Sequence, residues 1–169
     1  MADALEPEQL RTYFALMESV SLLQHAVEQQ LRADGDLSYV QFQLLARLTE
    51  ARQLTMTELA DGVVYSRSGL THQAKLLEQA GLVTRHDCPD DQRAVIVTIT
   101  EAGATLVARL MPGHVRVTRS LLFDSLSDQD LHTLGAIMIR ARDHMRAHPP
   151  RSATSRRRGT APRAADEIS

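Results

Sequence analysis

Apolar positions along this chain switch between two periods, and the switches mark its elements. From Glu8 to Leu31, the residues Leu10, Tyr13, Phe14, Met17, Val20, Val27 and Leu31 recur on a helical period and predict a long amphipathic helix. Arg32-Ala-Asp-Gly-Asp36 supplies turn chemistry to end it, and Ser38 caps a second helix bearing Val40, Leu44, Leu45 and Leu48. Thr55-Met-Thr-Glu58 is a capping box, in which hydroxyl and carboxylate accept from backbone N–H groups left free at a helix start. Gly62 stops that helix early. Another is expected from Ser66 to Ala80, with Gly81 as its left-handed stop. Two short helices so close in sequence make a helix-turn-helix.

The pattern then changes. Leu82 to Arg85 reads as a strand and Val95 to Thr100, rich in β-branched residues, as a second. The polar stretch Asp87-Cys-Pro-Asp-Asp-Gln-Arg93 between them suits a hairpin tip. The expected fold is mainly α with a small β-hairpin wing, a winged helix-turn-helix. Thr100-Glu-Ala-Gly103 opens a further helical stretch to about Leu126, broken or kinked at Pro112-Gly113. A second capping box, Ser127 to Asp130, leads into a helix with Leu131, Leu134, Met138, Ala141 and Met145 on one side. Residues 149–169 lose the apolar pattern and read as a disordered basic tail. The apolar faces of 8–31 and 128–146 have no partner within the small winged domain, which predicts an obligate homodimer.

Composition narrows the function classes. Of 169 residues 43% are hydrophobic but only 4% aromatic, so the core must be aliphatic. Cys88 stands alone, which excludes an intrachain disulfide and any multi-cysteine metal site. The N-terminus resembles no signal peptide and no stretch is apolar enough for a membrane span, so a cytoplasmic protein is expected. Net charge is −2, with residues 1–64 carrying four Arg against ten acids. Any nucleic-acid contact must therefore come from local placement of charge. Lys75 is the only lysine and the other 18 cations are arginines, a coding bias that makes arginine by itself uninformative.

That local placement falls on the helix from Ser66. Stepping about 100° per residue groups Leu70, Ala74 and Leu77 on one side and Arg67, Ser68, Thr71, His72 and Lys75 on the other. The second face has two cations, two hydroxyls and an imidazole, and no carboxylate; Glu78, at the far end, is the helix's one acid. An ordinary solvated face mixes acids with bases. Arg and Lys can donate to guanine or phosphate, and Ser and Thr can bond or touch a thymine methyl. No G-x-S-x-G or G-x-G-x-x-G appears, and no nucleophile sits with a base, so an enzyme is not expected. His86-Asp-Cys88 lacks further ligands for a metal, and no cofactor is expected.

Thr57-Glu-Leu-Ala60, Ser66-Arg-Ser-Gly-Leu-Thr71, Leu77-Glu-Gln-Ala-Gly-Leu-Val83, Asp91-Gln-Arg93 and Thr98-Ile-Thr-Glu-Ala-Gly103 occur in an order and spacing that resemble the MarR family of bacterial transcription regulators. The wing pattern D-x-R followed by a β-run and T-x-x-G is its most specific part. The resemblance implies dimerisation helices at 1–36 and 104–148 around a DNA-binding domain at 37–103. It further implies recognition helices in successive major grooves of a palindromic double-stranded operator. Arg93 would reach into the minor groove with Asp91 orienting it, and a small aromatic or phenolic ligand would release a repressor from DNA. His72 and Lys75 stand where many members have Arg and Asp, so base preference does not carry over. Gln92 replaces a frequent second wing arginine. Cys88 lies among three acids and outside the first helix, where redox-sensing relatives keep their thiol, so a passive role is expected. The competing class is a winged helix that binds protein, which the acidic N-terminal third favours and the acid-free face opposes.

Overall fold

The computed structural model describes residues 4–63, 67–88 and 91–147, with the backbone alone at 67, 68 and 91–93. The chain falls into two compact units, one ending at Ser125 and the other beginning at Leu126.

The first unit opens with α1 (Pro7–Gly35). Pro7 has no N–H to leave unsatisfied in the first turn, and Gln9 Oε1 accepts the Glu6 N–H at 2.9 Å. The helix ends where Asp36 turns left-handed (φ 52°) and returns its N–H to the Arg32 carbonyl. Val27 and Leu31 enter the core, whereas Leu10, Phe14, Met17, Val20 and Leu22 stay exposed. Helix α2 (Tyr39–Ala51) starts at Ser38, whose Oγ accepts the Gln41 N–H at 3.2 Å while Gln41 Oε1 accepts that of Ser38 at 2.9 Å. Helix α3 (Met56–Gly62) starts on the box the sequence predicts. Thr55 Oγ1 accepts from Glu58 N at 3.2 Å and Glu58 Oε2 from Thr55 N at 2.8 Å. The bond from the Thr55 backbone and that from its hydroxyl favour the ionised carboxylate and hold Glu58 below its ordinary pKa.

Helix α4 (Arg67–Gln79) is followed by Gly81 at φ 70°, the left-handed stop. The wing strands reach further toward the tip than expected: β2 runs from Val83 to Cys88 and β3 from Asp91 to Ile99. Backbone pairing continues past the point where the side chains stop looking strand-like, because the ladder is made by N–H and C=O groups. Asp87 faces Val95 but Cys88 faces Asp91, so residues 92–94 of β3 have no counterpart and form a bulge. A third strand, β1 (Gln53–Thr55), pairs antiparallel with β3 and makes the sheet order β1-β3-β2.

Helix α5 (Glu101–Leu121) runs through Pro112 without the expected break and stops short of Leu126, in a 3-10 turn at Phe123–Ser125. Pro112 is exposed, and so is Ala108, whose carbonyl would have met the missing N–H. On the solvent side water can meet that carbonyl, and the helix survives. The core that α1, α2, α4, α5 and the sheet enclose is aliphatic, with Phe42 its one aromatic among the described residues.

The second unit contains α6 (Asp128–Ala147), opened by Asp130 N donating to Ser127 Oγ and Ser127 N to Asp130 Oδ2, both at 3.2 Å. None of its side chains is buried, and Leu131, Ile137, Ile139 and Met145 are exposed. The tail expected at 149–169 lies outside the described residues.

Candidate nucleic-acid interface

Helix α4 is amphipathic in the sense its residues predict. Leu70, Ala74 and Leu77 are 0%, 1% and 2% exposed, and Thr71, His72 and Lys75 on the other side are exposed. Arg67 and Ser68 are placed by their backbone in the first turn of α4, and Ser66 lies outside the described residues. Glu78 turns away from the exposed face and accepts Arg85 Nε of β2 at 2.9 Å, with both side chains mostly covered. That pair neutralises the helix's one acid and ties the end of α4 to the root of the wing.

Two further contacts fix the elements around α4, and neither is visible in the sequence pattern. Arg47 of α2 donates from Nη2 to the carbonyl of Gly62, the last residue of α3. A Cβ at Gly62 would run into that guanidinium. Gly62 is thus more than a helix stop: its bareness makes room for Arg47. At the wing's other end, Thr100 caps α5 by accepting the Gly103 N–H at 3.1 Å, and its own N–H donates to the Leu82 carbonyl at 3.1 Å. A Cβ at Gly103 would strike the same Leu82 carbonyl oxygen. The T-x-x-G signature therefore has a steric reason: helix α5 starts in direct backbone contact with Leu82, the residue before β2.

Asp91 and Arg93 belong to β3 and not to a loop, which corrects the reading of 87–93 as a hairpin tip; Arg93 falls in the bulged segment 92–94. Cys88 is half-buried on β2. Among the described residues no group of three His, Cys, Asp or Glu side chains comes together as a metal site would require. Nor is any described helix long and apolar enough to cross a membrane.

Beside the helix-turn-helix, Tyr39, Phe42, Gln43, Ala46, Arg47 and Glu50 of α2 and His114 of α5 line an open cleft of about 350 Å³. The His114 and Phe42 rings lie 4.9 Å apart, tilted by 48°. Burial pushes the His114 pKa below its ordinary value, and its Nδ1 is buried without a hydrogen-bond partner. A neutral ring with its proton on Nε2 suits that environment.

Helices α3 and α4, followed by the β2–β3 hairpin and a β1 strand closing the sheet, define a winged helix-turn-helix protein. Similarity to known proteins narrows the class. The MarR family model matches residues 37–95. Sco3205, a MarR family transcriptional regulator from Streptomyces coelicolor solved in complex with DNA, is 33% identical, with a TM-score of 0.81 over 89% of this chain and 94% of that one. AbsC, a MarR family regulator from the same organism, is 28% identical, with a TM-score of 0.79 over 87% and 100%. The regulator PecS of Dickeya dadantii is 26% identical over 132 residues, 76% of this chain and 79% of PecS. The chain belongs to the MarR family of DNA-binding transcriptional regulators.

Proposed function

We propose that the protein reads a palindromic double-stranded operator as a homodimer, with α4 in the major groove and the wing at the neighbouring minor groove. The observation that carries this is the exposed, acid-free face of Thr71, His72 and Lys75 opposite the buried stripe of Leu70, Ala74 and Leu77. On this reading Arg67 and Lys75 donate to guanine or phosphate, Ser66, Ser68 and Thr71 bond or touch base edges, and His72 is a further polar contact. Arg93 enters the minor groove, held by Asp91. Residues 37–103 do the reading. Residues 1–36 and 104–148 dimerise, and the exposed Phe14, Leu22, Leu121 and Ile139 support a covering second copy.

The regulator acts as a repressor that a small aromatic or phenolic compound releases. The cleft of Tyr39, Phe42, Arg47 and His114 offers such a ligand aromatic walls and a cation. A mobility shift with a duplex selected by the protein from a random library, run at two salt concentrations, tests the DNA reading. Phosphate contacts make affinity fall steeply with salt. If no duplex is selected, or affinity ignores salt, the competing reading of a protein-binding winged helix takes over. Sedimentation that finds a well-folded monomer at micromolar concentration would remove the dimer.

A further inference from the structure

We infer that Arg47 is a positioning residue for DNA reading, acting through Gly62 and without touching DNA; the inference rests on the proposal that α4 is the reading helix. Arg47 belongs to α2, 15 residues before Gly62, and its guanidinium closes onto the carbonyl that ends α3. The last carbonyls of a helix have no intrahelical partner and carry the negative end of its dipole, so a guanidinium is well matched to them. Leu59 and Val63 flank this carbonyl and are 1% and 5% exposed, and Val63 N–H returns to the Leu59 carbonyl at 3.1 Å. The end of α3 is therefore held from below by the core and from outside by Arg47. Helix α4 packs on both α2 and α3 and begins at Arg67, a short step along the chain from Gly62. Whatever fixes the end of α3 against α2 fixes where the exposed face of α4 points.

Gly62 supplies an independent argument. The glycine described with a positive φ is Gly81, so backbone conformation does not demand glycine at 62. At a helix end with ordinary dihedrals alanine is the better helix former. A Cβ there would displace the Arg47 guanidinium, the far end of a flexible side chain, from the carbonyl it meets. Alanine at 62 would therefore undo the same contact that loss of Arg47 removes. Arg47 itself is exposed and its carbonyl partner can take water in its place, so its loss should cost position more than stability.

The test is a cycle of Arg47→Ala, Gly62→Ala and the double variant, with Arg47→Lys as the conservative change, on the duplex the parent protein selects. Each single substitution to Ala should weaken binding by about fivefold or more, equivalent to ~1 kcal/mol, with little change in Tm. The double variant should bind no worse than the weaker single, because both remove one contact. Arg47→Lys should recover part of the loss, since an ammonium still faces the carbonyl. The salt dependence of binding should keep its slope in Arg47→Ala, whereas a lost phosphate contact lowers it by about 0.9. Arg47→Ala binding within twofold of the parent, fully additive losses in the double variant, or a reduced salt slope would each overturn the proposal. Failure of the parent to select any duplex would instead remove the DNA reading, and this inference with it.

Discussion

Replacing Gly103 by alanine sets two effects of opposite sign against each other. In an unencumbered helix the change is favourable by up to about 1 kcal/mol, because glycine loses more backbone entropy on folding. At Gly103 the added methyl meets the Leu82 carbonyl oxygen, with Leu82 C at 3.1 Å and Ile99 Cγ1 at 3.0 Å. Ile99 can shift its side chain; the backbone of Leu82 cannot move freely, because its carbonyl accepts the Thr100 N–H at 3.1 Å and Thr100 Oγ1 bonds to the Gly81 carbonyl at 2.8 Å. Overpacking of this kind costs roughly 1–3 kcal/mol and a strained hydrogen bond roughly 1 more. Set against the helix gain, the net is a loss of about 1–3 kcal/mol, or a Tm lower by roughly 2–12 °C for a chain of this size. Thermal denaturation followed by circular dichroism reads it directly. A Gly103→Ala variant as stable as the parent would mean that helix propensity outweighs the contact, and the steric account of the T-x-x-G signature would be wrong.

The remaining expectations concern the interface and its surroundings. Arg93→Ala should lose at least about tenfold in operator affinity, ~1.4 kcal/mol, with Asp91→Ala losing less; titrations by fluorescence anisotropy check both, and an Arg93→Ala constant within twofold of the parent excludes the wing from binding. Thr71→Ala, His72→Ala and Lys75→Ala should each change operator binding while Tm stays near the parent's, since all three side chains lie off the buried stripe; three variants that bind as the parent does would show that α4 is not the reader. Burial holds the His114 pKa below its ordinary value, so the unfolded chain takes up the proton more readily than the folded one. Its contribution is intact above that value and is lost as pH falls through and below it, so the parent's Tm should drop between pH 7.5 and 5.5 more than that of His114→Phe. Equal drops would mean the ring is solvated in both protonation states.

Local chemistry was legible in the sequence and tertiary chemistry was not. The boxes at Ser38, Thr55 and Ser127 involve partners three residues apart, so each helix start could be placed from adjacent residues alone. The inward stripe of α4 followed from its period for the same reason. Strand β1 has three residues, too few to establish any period, and exists because β3 lies beside it. The wing strands outran their apolar pattern because pairing between His86 and Ile96 or Asp87 and Val95 is made by backbone groups that no side chain advertises. Pro112 misled because a proline's effect depends on which side of the helix it faces, a property of packing. Arg47 and Gly62 look like an ordinary surface cation and an ordinary stop signal until the fold brings them together.

The only lysine in the sequence stands on the exposed face of α4. Primary-amine chemistry among the side chains therefore has one address, Lys75, in the middle of the proposed reading surface. An amine-selective reagent becomes a footprinting probe with a single side-chain site: bound operator should shield it, and released protein should take up one side-chain label, located at Lys75 by peptide mapping. The same economy works in reverse. Any acylation of a side-chain amine in this protein, enzymatic or chemical, erases one of that face's cations and leaves the arginines of every other element untouched.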